Sequence, residues 1–214
     1  MGPVKRAKRL IGRTWLKAFG WKVDGGAPNV KRAVVLAAPH TSNWDFPFTL
    51  AVTWAVGVDI AWLGKRQMFV PGLRRVLKGI GGIPVDRSAK HNLVTQVADR
   101  IKDSDRLFVL VPPEGTRARV ARWKTGFYYI AVEAEVPIVM GYLDFKKKTG
   151  GFGTVMYPTG DLNKDAETFR AFYKDKHGKH PQLFTEVKFA EVEKSKIVAP
   201  RAVKQAQSLS NPPL

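Results

Sequence analysis

Short apolar runs alternate with helix-like segments along most of this 214-residue chain, and that alternation limits the fold more than any other feature. The runs at 33–38, 58–63, 82–86, 107–111 and 137–143, with a shorter one at 153–157, have the length and aliphatic content of strands. Between them lie helical segments at 43–56, 67–79, 89–102, 123–134 and 163–176. The segment at 89–102 is the clearest, with Leu93, Val94, Val97, Ala98 and Ile101 on one face and Ser88 as its cap. Helix 163–176 is polar and reads as superficial. Strands interleaved with helices build a covered sheet, and uniformly apolar strands are buried on both faces. The expectation is an α/β fold: a single domain with a mixed, mostly parallel sheet flanked by helices, preceded by an N-terminal basic amphipathic helix. Residues 24–29, rich in Gly and containing Pro28, read as a loop. Residues 199–214 lack periodicity and read as a loose tail. The organisation expected is a helix and loop over 1–30, a functional domain over 31–198 and the tail.

Hydrophobic residues make up 44% of the chain, enough for one well-filled core. There is no Cys, which excludes a disulfide framework, a thiolate nucleophile and a sulfur-ligated zinc site. Four scattered His offer no ligand cluster, so no metal is expected. The net charge of +18 calls for an anionic partner: nucleic acid, an anionic bilayer, or acidic carriers and phosphorylated substrates. Helix 4–19 narrows that choice. Val4, Ala7, Ile11, Trp15 and Ala18 follow helical spacing, Lys5, Arg6, Lys8, Arg9, Arg13 and Lys17 supply cations, and no acid precedes Asp24. Such a helix suits a lipid interface, with Trp15 and Trp21 at headgroup level; the alternative is a core-docked helix with a solvated basic face. The longest apolar stretch, 46–58, falls short of the roughly 18–20 residues a membrane span needs. The N-terminus does not read as a signal peptide. A peripheral, monotopic protein on the cytoplasmic face of the inner (plasma) membrane is the expected setting.

The chemistry centres on His40-Thr41-Ser42-Asn43-Trp44-Asp45, which follows the run at 33–38. Residues five apart lie roughly 140° from each other on a helix and do not share a face. His40 and Asp45 therefore meet only if His40 sits in the turn before a helix and Asp45 in its first turn. Thr41, Ser42 or Asn43 is the expected cap. A carboxylate held against one ring nitrogen leaves the other free to take a proton, which suits a general base acting on a hydroxyl. His91, His177 and His180 have no acid at this offset and sit among polar residues that read as solvated surface.

Two further segments end strands, where functional groups of α/β sheets gather. One is Gly82-Ile83-Pro84-Val85-Asp86-Arg87. The other is Pro113-Glu114-Gly115-Thr116-Arg117, after the run at 107–111. Arg87 and Arg117 at the ends of separate strands, the latter beside a Gly that exposes its amide, can grip a phosphate bidentately.

In this order the segments resemble the signature of the glycerolipid acyltransferase family, whose type member acylates lysophosphatidate. The family's N-H-x-x-x-x-D motif is matched from His40 to Asp45, with Pro39 in place of the Asn. Its glycine–isoleucine strand ending in Arg is matched by Gly82 to Arg87, and P-E-G-T-R stands whole at 113–117. A Val-Pro-rich strand begins as Val136-Pro137-Ile138-Val139, although Met140-Gly141-Tyr142 follows where a second Pro is usual. Lys65 and Pro71-Gly72 also sit as in many members. The resemblance implies transfer of a fatty acyl group from an acyl-CoA or an acidic acyl-carrier protein to a lysophospholipid hydroxyl, with His40 and Asp45 catalytic and no cofactor. It implies that Arg87 and Arg117 hold the acceptor's phosphate, helped by Gly115, Thr116 and Lys65 or Lys124. Glu114 is expected to orient the acceptor or the arginines. A lyso-lipid lacking phosphate is the alternative acceptor. A basic nucleic-acid-binding protein is the rival from another class, supported by charge and by Lys146-Lys147-Lys148. It lacks a recognised nucleic-acid module, and no specific nucleic-acid partner is expected.

Overall fold

The computed structural model describes residues 2–85 and 90–190. Among the described residues, seven strands form one sheet in the order β1-β7-β6-β2-β5-β3-β4. The strands are β1 (Lys22–Asp24), β2 (Arg32–Ala38), β3 (Ile60–Lys65), β4 (Gly82–Val85), β5 (Leu107–Val111), β6 (Ile138–Asp144) and β7 (Thr149–Met156). All neighbours are parallel except β6 and β7, which the turn at 145–148 joins antiparallel. This is the mixed, mostly parallel α/β sheet expected, with three differences. The strand β1 has no counterpart among the expected strands, since three residues are too few to show a period. The strand β7 starts at Thr149, because its glycines conceal a strand from a reading of apolar content. The strand expected at 82–86 is described as far as Val85, and Asp86, Arg87 and the Ser88 cap lie outside the described residues, as does the tail at 199–214.

Alternation along β2 divides the core between the two faces. Val34, Leu36 and Ala38 point with Val109, Ile138 and Met140 towards α4 (Lys90–Lys102), α5 (Gly126–Glu133) and α6 (Leu162–Tyr173). Ala33 and Val35 point with Phe108, Leu110 and Val139 towards α2 (Asp45–Val56). The helix α6 is a correction to the sequence reading. It is not superficial, since Leu162, Ala166, Phe169 and Tyr173 are buried. These residues recur at intervals of three or four, a narrow apolar stripe that polar neighbours dilute in any average.

The N-terminal helix α1 (Pro3–Ala18) packs against α2. Contact is close because Gly12 lies where a Cβ would stand 2.5 Å from the Ala51 carbonyl oxygen. Leu16 is buried beside it, Arg9 Nε donates to the Ala55 carbonyl at 3.2 Å, and Lys8 pairs with Asp59 at 2.8 Å. The opposite side keeps Val4, Leu10 and Ile11 in solvent. One face of this helix thus docks on the fold, as the core-docked reading expects, and an apolar side with its cations remains outside. No helix among the described residues is long and apolar enough to cross a membrane. Between β3 and β4, the segment called 67–79 divides into a 3₁₀ turn, Arg66–Met68, and a short helix, α3 (Leu73–Gly79), separated by Pro71 and Gly72.

Candidate active site

Because β2, β5, β3 and β4 run parallel, the loops that follow them leave the same edge of the sheet. That shared direction brings the motif at 40–45 beside the one at 113–117. Leu36 pairs with Val111, so both loops begin a few residues beyond the same rung.

His40 enters this edge through a cis Ala38–Pro39 peptide. Its ring Nδ1 lies 3.1 Å from Asp45 Oδ2, with the imidazole 19% exposed and the carboxylate 5%. The expected pair therefore forms, by the expected route: His40 in the turn and Asp45 at the first position of α2. The cap differs from expectation. The residue preceding the helix is Trp44, which makes no side-chain cap. Instead the Asp45 carboxylate reaches back, and Oδ2 accepts the N–H groups of Thr41 at 2.8 Å and Ser42 at 2.9 Å. A single oxygen thus closes the loop and takes the imidazole N–H, which fixes the orientation of His40 and leaves Nε2 as the free nitrogen.

Glu114 faces inward. It is 2% exposed, and its Oε1 accepts the main-chain N–H of His40 at 3.0 Å. Burial pushes its carboxyl up from 4.5 to about 7, against the lowering effects of the N–H bonds and of His40. The resemblance has Glu114 orienting the acceptor or the arginines; here its side chain supports the His40 turn from beneath, out of reach of solvent. Burial, and then the nearby Glu114 charge, raise the pKa of the Tyr173 hydroxyl of α6, which donates to the Gly141 carbonyl at 2.9 Å. The signal for this role was faint, since a buried Glu and a substrate-binding Glu look alike in a sequence.

The rest of the loop is held by its own main chain. Gly115 N–H donates to the Pro112 carbonyl at 3.1 Å and Lys124 N–H to the Pro113 carbonyl at 2.8 Å. Gly115 has φ +69°, and the Lys124 stem lies over it, with Nζ 2.6 Å from where a Cβ would be. Thr116 is exposed, its Oγ1 accepting the Ala118 N–H at 3.3 Å. Arg117 and Lys65 are exposed at this edge, as is Lys124 beyond its stem. Arg87 lies outside the described residues. Two contacts had no sequence signal. His180 N–H donates to Thr41 Oγ1 at 3.2 Å, and Lys179 lies 4.8 Å above the Trp44 ring. The chain after α6 therefore returns over the His40 turn. His177 is only partly the solvated side chain expected: 37% of it is exposed, while its Nδ1 is buried 3.8 Å from Asp144 Oδ1.

The Acyltransferase family model matches residues 22–142, more than half the chain and both motif loops. The chain belongs to the acyltransferase family. The resemblance carried by the four motifs is thereby borne out. The fold of this acyltransferase is similar to the crystal structure of the 1-acyl-sn-glycerophosphate (LPA) acyltransferase PlsC from Thermotoga maritima, with a TM-score of 0.58, 18% identity and 82% of each chain covered. At that identity the likeness concerns the fold. No curated protein sequence matches the acyltransferase.

Proposed function

We propose that this acyltransferase moves a fatty acyl group from an acyl thioester to the hydroxyl of a lysophospholipid such as lysophosphatidate. The observation that carries the reading is the His40–Asp45 contact at 3.1 Å, in a turn held from both ends. His40 Nε2 removes the hydroxyl proton as the acceptor oxygen attacks the thioester carbonyl. The tetrahedral oxyanion then collapses, the C–S bond breaks, and the imidazolium returns the proton to the leaving thiolate. Asp45 stabilises that imidazolium without being protonated itself. The thioester is an acyl-CoA or an acidic acyl-carrier protein, and no cofactor enters the step.

Arg117 with Arg87, and with Lys65 or Lys124, holds the acceptor's phosphate so that its hydroxyl meets His40. Gly115 and Thr116 shape the loop that carries Arg117. The fold likeness to a lysophosphatidate acyltransferase favours the phosphate-bearing acceptor over a neutral one. The exposed apolar face of α1, bordered by Arg6, Arg13 and Lys17, supports attachment to an anionic membrane, and the charge of +18 fits the cytoplasmic leaflet. A transfer assay with radiolabelled acyl-CoA across a panel of lysolipids tests the reading. Acylation of lysophosphatidate is expected. Acylation of a phosphate-free lysolipid alone selects the alternative acceptor.

A further inference from the structure

Among the described residues, the segment between β3 and β4 leaves several apolar side chains about half exposed to water. The helix α3 buries no residue. Met68, Val70, Leu73 and Val76 are between 46% and 59% exposed. A seven-residue helix is too short to hold itself together in water, so its apolar side needs a surface to rest on. Leu73 and Val76 lie one turn apart on one side, and Arg74, Arg75 and Lys78 fall on the other. From Asp59 to Asp86 the sequence contains no acid between them, so the covering surface is anionic. The tail at 191–214 is itself net basic and does not complement it.

The position of this segment points to a bilayer over an acidic protein. Trp44 at the start of α2 touches Phe19 at the end of α1, with ring centroids 6.2 Å apart. Two residues on, Phe46 touches Trp62 at 5.0 Å, and Trp62 stacks on Phe69 at 6.1 Å. The catalytic turn is therefore flanked by two exposed apolar elements with basic borders, α1 on one side and 66–78 on the other. A docked carrier needs one such patch, whereas an extended lipid surface engages two. We propose that segment 66–78 is a second membrane contact, which with α1 sets the His40 turn against the surface of an anionic bilayer. The proposal rests on the membrane reading of α1 given above.

The test uses the full chain and measures binding to phosphatidylglycerol-rich and to pure phosphatidylcholine vesicles. Leu73→Ser with Val76→Ser, and separately Arg74→Glu with Arg75→Glu, should each weaken binding to the anionic vesicles roughly tenfold. Their melting temperatures should change little, since these side chains are exposed. Val4→Ser with Ile11→Ser on α1 serves as the comparison. Loss of binding in the α1 variant alone overturns the second contact and leaves the membrane reading standing. Indifference of the unaltered chain to anionic vesicles overturns both. If the Arg74/Arg75 variant keeps its vesicle affinity but loses transfer from an acyl-carrier protein, with acyl-CoA transfer intact, the surface belongs to an acidic protein and the proposal fails.

Discussion

The buried carboxylate of Glu114 accepts the main-chain N–H of His40 at 3.0 Å, joining two motif loops that are 74 positions apart. Asp45 grips the same turn from the helix side, through Thr41, Ser42 and the His40 ring. The turn is thus fixed by two carboxylates with different tasks: one holds the backbone and the other orients the imidazole. This division separates Glu114 from the groups that meet substrate.

Replacement of Glu114 should reveal that separation in kinetics. Glu114→Ala strands a buried N–H, with a stability cost of about 1–3 kcal/mol. It should lower kcat while leaving the acceptor KM near its original value. Glu114→Gln keeps an acceptor for the His40 N–H and should recover most of the stability. A rise in KM with unchanged kcat would instead make Glu114 a substrate ligand.

The pH dependence of stability has a sign set by the same group. The folded chain holds the Glu114 proton more tightly than the unfolded chain, because burial raises the carboxyl from 4.5 to about 7. Its contribution should therefore fall as pH rises from 4.5 to about 7, by up to about 3 kcal/mol, and level off above that window. Denaturant melts of the unaltered chain and of Glu114→Gln at several pH values check this; the stability of the unaltered chain relative to Glu114→Gln should rise as pH falls from about 7 towards 4.5. Parallel curves would contradict it.

Gly115 combines a left-handed backbone with the Lys124 stem overhead. Gly115→Ala should cost about 1–2 kcal/mol from the positive φ alone. A further loss should come from displacing Lys124. In a double-mutant cycle with Lys124→Ala, the second part should disappear while the first remains. Full additivity of the two substitutions would show that the stem moves aside freely.

At Gly12 the relevant distance is to backbone, not to a flexible side chain. A Cβ there meets the Ala51 carbonyl at 2.5 Å, so Gly12→Ala should push α1 away from α2 and lower stability by about 1–3 kcal/mol. Thermal melts check the effect, and a neutral outcome would mean that α1 docks loosely.

The sheet was legible because β2, β5 and β6 are aliphatic and buried on both sides, so their sequences need no partner to be recognised. The strands β1 and β7 were harder to read, since one is too short to show a period and the other has glycines where apolar residues are expected. The His40–Asp45 pair followed from helix geometry alone, as a spacing of five admits one arrangement. Glu114 was recognised but given the wrong surroundings, because the direction of its side chain depends on a strand pairing 74 residues away. The contacts of His180 and Lys179 with the catalytic turn depend on where the chain returns after α6, which local sequence does not encode.

The central claim is that the His40 imidazole takes the acceptor's proton. Its most direct test is acyl transfer from labelled acyl-CoA to lysophosphatidate by purified His40→Ala, with folding verified by its melt. Turnover about 10²–10⁴-fold below the unaltered enzyme is the expected result. Near-normal turnover in a folded His40→Ala protein would contradict the account.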